Sequence, residues 1–432
     1  MPTGIIESLD HEARGITRLD GKTIFVEGAL PGECVEYSCY KRKPSYEIAR
    51  IDRIVEASAS RVEPKCPHFG VCGGCSLQHL DPVAQVAVKQ RLLEANLWHI
   101  GRLVAEQIFP PIHGLSWAYR FRARLSARMV PKKGGMLIGF HERRSSYVAD
   151  MQCCLNLPVH VSDLLLPLRD LVSALSIRTA MPQIEVAVGE AMTALVLRIL
   201  APIDANDERL LRDFADRHDI VFYLQPGGPA SAYRFHPLDA RRLSYLLPDH
   251  GIEHDFSPTD FTQVNHAVNR VLVRRAMALL DARKGERVAD MFCGIGNFTL
   301  PIARSGARAT GVEGSPELTR RATENAAANG LAGQVVYHAA NLFETTRESL
   351  AALGKFDKML IDPPREGAVE LVKAIDEDGL RRIVYVSCNP ATLARDAAIL
   401  VHQKGYRLRG AGVVNMFPNT SHVESIALFE KD

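Results

Sequence analysis

From residue 263 onward, short apolar runs alternate with stretches of helical period. Runs rich in Val, Ile and Leu predict strands at 287–292, 308–313, 334–338, 356–362, 382–387, 406–414 and 423–429. Between them, apolar positions recur at helical spacing and predict helices near 296–305, 315–329, 366–377 and 391–402. Strand–helix alternation of this kind predicts a mostly parallel sheet with helices on both faces. No helical pattern separates the last two strands, so a terminal hairpin is expected.

The first sixty or so residues have a different grain. Strand-like pieces at 4–9, 21–27, 33–37 and 46–55 are divided by the turn signals Asp20-Gly21 and Pro31-Gly32. Several short strands in so short a span predict a small β-barrel of the OB type. Its basic segment, Tyr40-Lys41-Arg42-Lys43-Pro44-Ser45-Tyr46, reads either as a solubilising hairpin tip or as a loop for RNA backbone and base stacking. Residues 82–99 read as a helix, and a mixed α/β stretch follows to about 262. Within it, Arg120, Arg122, Arg124 and Arg128 fall on a strand-like period and make one face basic. That face is either a solvated edge strand or a strip that faces RNA. Three domains are expected, at 1–60, 61–262 and 263–432, with the helical part near 80–108 a candidate for packing on the third.

Composition adds little to this division but narrows the setting. The chain has 432 residues, 47% of them hydrophobic, which suits large cores. Its 52 basic and 50 acidic residues leave a net charge of +2, so any nucleic-acid surface must be local. No secretory leader opens the chain, and no run nears the ~18 apolar residues of a membrane helix. A cytoplasmic protein without membrane partners is expected. In that compartment clustered cysteines are more often metal ligands or catalysts than disulfides.

Three predicted strand ends carry candidate chemistry. Phe292-Cys293-Gly294-Ile295-Gly296-Asn297-Phe298 closes one strand with a glycine turn, preceded by Asp290. Glu313 ends the next strand, where an acid commonly binds ribose hydroxyls. The third glycine of a dinucleotide loop is missing, which favours a nucleoside cofactor without pyrophosphate; S-adenosylmethionine fits. Asp362 ends another strand and Cys388 another, and in such sheets ligands bind beyond the carboxyl ends. A thiol there explains how a pyrimidine carbon 5, a poor nucleophile, could be methylated. Addition of the thiolate at carbon 6 makes carbon 5 enolate-like, and a base must later remove the carbon-5 proton. Glu424, at the head of an apolar strand, reads either as an exposed strand-end glutamate or as a base whose pKa an apolar site would raise.

Cys66, Cys72 and Cys75 form a C-x5-C-x2-C cluster with glycines at 70, 73 and 74. A fourth ligand could come from Cys153 or Cys154, or from His68 or His79 in a zinc site. The spacing is not the C-x3-C-x2-C of radical S-adenosylmethionine enzymes.

Taken together, several long strings resemble the RNA uracil-5 methyltransferase family, in particular its members acting on bacterial 23S ribosomal RNA. They are Cys66-Pro67-His68-Phe69-Gly70-Val71-Cys72-Gly73-Gly74-Cys75, Phe261-Thr262-Gln263-Val264-Asn265, the run 292–301, the run 387–396 and the run 416–425. The resemblance spans the chain. It implies an N-terminal TRAM domain, a central α+β iron–sulfur domain and a Rossmann-like methyltransferase domain. It implies a [4Fe–4S] cluster on Cys66, Cys72, Cys75 and Cys154, the last preferred to Cys153 because the apolar spacing after it suits the family's register. Cys388 would be the nucleophile and Glu424 the base. Gln263, Phe292, Asn297, Glu313, Asn341 and Asp362 would contact S-adenosylmethionine or the target base. The partner would be 23S ribosomal RNA and the enzyme a monomer. The competing readings are the same chemistry on transfer RNA, methylation of a purine amine, and an RNA-binding module with a vestigial site. The purine reading lacks the aromatic residue expected after Asp-Pro-Pro, since Arg365 stands there.

Overall fold

The computed structural model describes residues 1–239, 241–376 and 379–431. Its N-terminal strands are β1 (Thr3–Ile5), β2 (Ser8–Leu9), β3 (Arg14–Leu19), β4 (Lys22–Glu27), β5 (Cys34–Arg42) and β6 (Tyr46–Glu56). They form one barrel-like sheet in the order β1-β5-β6-β4-β3-β2 around Ile6, Ile24, Val26, Val35, Tyr37 and Ala49. The strand expected at 4–9 is split in two, because Ile6 leaves it and exchanges backbone bonds with Glu33 and Gly32. Strand β3 carries no clear apolar alternation and matches no predicted strand. Strand β5 runs on through Tyr40 to Arg42, so the expected loop shrinks to a tip at 43–45. Both flanking tyrosines have partners within the chain. The Tyr40 hydroxyl donates to Glu27 and accepts from Arg144, and Tyr46 packs edge-on against Phe25.

Helix α1 (Pro82–Asn96) starts at an Asp81 cap with proline in its first turn, and a π-turn (Leu97–Gly101) extends it. Next come β7 (Gln107–Ile108), β8 (Arg122–Val130), β9 (Gly135–Gly139), α2 (Val159–Ser162), α3 (Leu165–Ala174), β10 (Gln183–Val188), β11 (Thr193–Arg198), α4 (Ala205–His218), β12 (Val221–Gln225) and β13 (Tyr233–His236). The second sheet has the order β13-β12-β11-β10-β8-β9. Along β8, Ala123, Leu125 and Ala127 point into its core and Arg124 and Arg128 point out. The expected alternation is present. The edge-strand reading is not, since β8 lies between β10 and β9.

A separate hairpin of β14 (Ser244–Leu247) and β15 (Ile252–Asp255) precedes the elements of the large third sheet: α5 (His266–Leu280), β16 (Arg287–Met291), α6 (Thr299–Arg304), β17 (Arg308–Glu313), α7 (Pro316–Ala328), β18 (Val335–Ala339), α8 (Arg347–Ala352), β19 (Lys358–Ile361), α9 (Val369–Ala374), β20 (Arg382–Ser387), α10 (Pro390–His402), β21 (Arg407–Val414) and β22 (Glu424–Glu430). The seven strands expected from 287 onward are present, and with β7 they form an eight-stranded sheet in the order β18-β17-β16-β19-β20-β22-β21-β7. Those from β18 to β20 are parallel neighbours, and β22 runs antiparallel to both β20 and β21. Helix α6 starts three residues later than expected because the preceding turn is left-handed at three positions. Helix α9 is shorter than 366–377, and the last of those residues, Glu377, lies outside the described ones.

The core of this sheet takes in segments from earlier in the chain. Helix α1 packs against α10 and β21, and β7 joins the sheet edge in parallel with β21. The β14–β15 hairpin supplies Tyr245, Leu247 and Ile252 to the same core as α5. Among the described residues no helix is long and apolar enough to cross a membrane.

Gly410 marks how tightly β21 meets the segment after β7: a Cβ there would stand 2.3 Å from two ring carbons of Phe109. Phe109 is buried and its backbone N–H bonds to Ala411, so the ring has little room to retreat. Gly410→Ala should cost about 1–3 kcal/mol by overpacking. Equilibrium unfolding checks this against Gly333→Ala, where an added Cβ meets nothing within 4 Å.

Candidate active site

Strand β16 is flanked by β17 on one side and β19 on the other, so chain order reverses there and a crevice opens at the carboxyl ends. The turn Phe292–Phe298 leaves β16, Glu313 ends β17, Asp362 follows β19 and Cys388 follows β20. Because β22 is antiparallel, its first residue reaches the same edge. Ser425 pairs with Ser387, which sets Glu424 beside the Cys388 turn.

The glycine turn is built around one carboxylate. Glu313 accepts from the backbone N–H of Gly294 (3.1 Å) and of Ser315 (3.0 Å). Gly296 has φ +97°, and a Cβ there would lie 2.8 Å from the Tyr337 hydroxyl; at Gly294 an added Cβ would meet nothing within 4 Å. The backbone at Gly294 is thus open to a ligand, and the turn fits a nucleoside cofactor. Phe292 also holds a left-handed φ of +65°, rare for a bulky residue, and its ring packs on Phe343. Beneath the turn, Asp290 is fully buried and accepts from the Thr299 hydroxyl. Burial pushes its carboxyl up to about 7 against that bond, with the neighbouring Asp362 and Glu313 charges adding to the rise.

The other cofactor candidates are placed unevenly. Asn297 is held within the protein by a reciprocal amide pair with Asn269 (2.9 and 3.0 Å) and by the Tyr245 hydroxyl (3.0 Å). Asn341 is exposed and caps the turn at Phe343. Gln263 is partly exposed in the segment before α5.

Cys388 is partly exposed, just ahead of the Asn389 cap of α10. The Asn389 side chain and the Thr392 hydroxyl both donate to the Arg365 carbonyl, which fastens the Asp362–Arg365 loop to the thiol turn. Burial pushes the thiol up to about 11, and the Glu424 and Asp362 charges add to this while Arg365 opposes it. Glu424 is 6% exposed, and its Oε2 has no hydrogen-bond partner. Burial, then Asp362, push it up to about 8, and Lys89 pulls the other way. Burial likewise pushes Asp362 up to about 7. A thiol able to add to an electron-poor ring carbon therefore faces a buried carboxyl suited to taking a proton.

The cysteine segments meet at a separate cavity. Cys66, Cys72, Cys75 and Cys154 line it together with His68, Phe69, Arg120, Phe140 and Asn156. Cys153 instead has its sulfur toward His68, and His79 packs against Phe69 in an adjoining pocket. Burial raises Cys72 to about 11, with Cys154 and Cys66 adding to the rise. The Asn156 amide donates to the Cys75 sulfur at 3.1 Å. Among the described residues no group of three or more His, Cys, Asp or Glu is arranged to hold a single metal ion.

Two residues escaped the sequence reading. Lys89, on α1, is fully buried and bonds to Asn415 and Phe417 just ahead of Glu424. Asn419, at φ +66°, is a buried hub. Its carbonyl accepts from Ser76 and Leu77, its N–H donates to Gln85, and its amide donates to Ser116 and Asn156. The period-3.6 pattern could flag Lys89 only as a polar residue on a buried helix face; nothing local marks Asn419 as a hub.

Residues 244–432 match the family described as tRNA (Uracil-5-)-methyltransferase. A protein of Dechloromonas aromatica named 23S rRNA (uracil(1939)-C(5))-methyltransferase RlmD is 66% identical over 430 residues, covering 100% of both chains. A protein of the same name from Aromatoleum aromaticum is 61% identical over 433 residues, again with 100% of both covered. The crystal structure of Pyrococcus abyssi tRNA (uracil-54, C5)-methyltransferase in complex with S-adenosyl-L-homocysteine superposes with a TM-score of 0.73. It is 22% identical and covers 99% of each chain, a likeness of fold.

Replacing Asn419 by Ala should cost about 1–3 kcal/mol by stranding buried partners, before any backbone strain is counted. Asn419→Gly keeps the left-handed backbone open and isolates the side-chain share. Denaturant unfolding of both variants measures it.

Proposed function

This chain belongs to the RNA uracil-C5 methyltransferase family, and we propose that it methylates carbon 5 of a uracil in 23S ribosomal RNA with Cys388 as nucleophile and Glu424 as base. The full-length relatives that carry this activity in their names support the substrate, with uracil 1939 as the target. The single observation behind the residue roles is the antiparallel register that sets Glu424 beside Cys388 at the cofactor edge.

S-adenosylmethionine supplies the electrophilic methyl group. The open backbone at Gly294, the Glu313 carboxylate and the Phe292 ring form its cradle, with Gln263, Asn297, Asn341 and Asp362 around it. Cys388 adds through its sulfur to uracil carbon 6, and carbon 5 then takes the methyl group. Glu424 removes the carbon-5 proton, the sulfur–carbon 6 bond breaks, and Cys388 is freed. Burial is what gives Glu424 its basicity, which suits proton transfer near neutral pH. A stacked target base must be drawn out to reach Cys388 at a cost of a few kcal/mol, which phosphate contacts offset. The N-terminal barrel, read as a TRAM domain, and the outward arginines of β8 are the surfaces we assign to that contact.

The second cofactor is a [4Fe–4S] cluster on Cys66, Cys72, Cys75 and Cys154. The donor set fits, with four free thiols on two segments, 66–75 and 154, around one cavity. A four-iron cluster takes one thiolate per iron, so its ligands stand apart, whereas zinc needs all four ligands about 2.0–2.3 Å from one point. Its task is to hold the 66–75 run and the Cys154 segment together. Nine thiols and such a cluster suit a cytoplasmic enzyme, which we read as a monomer.

Incubation with unmodified 23S ribosomal RNA and methyl-labelled S-adenosylmethionine, followed by nucleoside mass spectrometry, tests the reaction. Labelled 5-methyluridine should form at one site and vanish with Cys388→Ala. Label only on transfer RNA would change the partner, and label on a purine amine would overturn the mechanism. Glu424 and Cys388 must both lose protons to act, so turnover should rise with pH through about 8. Rates measured across that range check the sign. Anaerobically purified protein should carry iron and sulfide; Cys154→Ser should lower both and Cys153→Ser should not.

A further inference from the structure

The mechanism above leaves one buried charge unused. Lys89 is 0% exposed and sits on α1, more than three hundred residues before Glu424 in the chain. Its Nζ donates to the Asn415 side chain at 2.7 Å and to the Phe417 carbonyl at 2.8 Å. Both acceptors belong to the stretch joining β21 to β22, so the ammonium is fixed under the approach to Glu424. A buried ammonium is costly unless a counter-charge compensates it. The carboxylate that favours its charged form is Glu424, whose Oε2 is buried and unpartnered.

Resting on the reading that Glu424 removes the carbon-5 proton, we propose that Lys89 is a positioning residue for that step, its ammonium stabilising Glu424 as a carboxylate. The other groups around Glu424 do not favour ionisation. Asp362, at the end of β19, opposes it, and a Cys388 thiolate at the end of β20 would do the same. His422 is kept neutral by burial first and then by Arg365, Lys89 and Arg120. Lys89 is thus the cation that offsets burial and Asp362 at this carboxyl. Burial lowers the lysine, and the Glu424 charge opposes that fall, so each partner favours the charged form of the other. Without the ammonium, Glu424 keeps its proton to higher pH and the base form is scarcer at neutrality.

The test separates the steps before proton removal from proton removal itself. On RNA with 5-fluorouridine at the target, Cys388 adds to carbon 6, the methyl group moves to carbon 5 and S-adenosylhomocysteine leaves. Fluorine replaces the proton, so the covalent enzyme–RNA adduct persists. Lys89→Met should form this adduct at a rate within about twofold of the wild type. Its turnover on uridine RNA at pH 7 should fall about tenfold, with the half-maximal pH raised by about one unit. Lys89→Gln, which keeps donors toward Asn415 and Phe417 but no charge, should behave like Lys89→Met. Parallel loss of adduct and turnover, or recovery of turnover in Lys89→Gln, would overturn the charge role. So would unchanged turnover and pH profile in both variants. A wild-type enzyme that forms no 5-fluorouridine adduct would overturn the underlying reading of Cys388 itself.

Discussion

Everything chemical in this chain depends on the direction of β22. A parallel sheet delivers its carboxyl ends to one edge, which brings the glycine turn, Glu313, Asp362 and Cys388 together. Glu424 is at the start of its strand, and a parallel β22 would carry it to the opposite edge, roughly 20 Å away at ~3.3 Å per residue. Running β22 backward between β20 and β21 pairs Ser425 with Ser387 and closes the site. The route requires β21 to lie outside β22, and that leaves an edge which β7 covers.

The site so assembled concentrates groups that burial keeps neutral. Asp290, Asp362 and Glu424 are all pushed upward, as is the Cys388 thiol, while Lys89 is pushed down. Removing charged groups from water raises their energy, and their neighbours decide which of them ionises. Here Asp362, raised by burial alone, in turn raises Asp290 and Glu424. The apolar cores on either face of the sheet supply the rigidity that holds these groups, and the left-handed Phe292, in place.

A single loop, 415–420, binds the distant parts of the molecule to this edge. Asn415 and Phe417 receive Lys89 from α1. Asn419 receives Ser76 and Leu77, directly after Cys75, and reaches Asn156, whose amide bonds the Cys75 sulfur. The cysteine cavity and the approach to Glu424 therefore share one hydrogen-bonded hub. In a low-dielectric interior such a network is stable only while every member is satisfied. A change at the cysteine cavity can therefore reach the approach to Glu424 through this hub.

Local patterns in the chain carried much of this. Apolar runs and their spacing located all seven strands from β16 to β22; a buried strand such as β16, β17, β19 or β20 must be apolar over most of its length. The residues at their ends, Glu313, Asp362 and Cys388, were legible for the same reason, since a strand's end locates its last side chain. Glu424 was legible as a carboxyl in an apolar strand, but its place beside Cys388 was not, because strand direction is a pairing decision. Strand β3 stayed hidden because its buried positions are Arg14, Gly15 and Thr17, which carry no apolar period. The docking of α1 and β7 on the third sheet, and of the β14–β15 hairpin on α5, is set by contacts between segments far apart in sequence. Lys89 belongs to that class: as a sequence position it is one more polar residue on a helix. The sequence by itself determined which residues could do the chemistry, through periodicity and turn residues that act over a few positions. Only the tertiary structure decided which of them meet, because that rests on strand order, strand direction and burial summed over the whole chain.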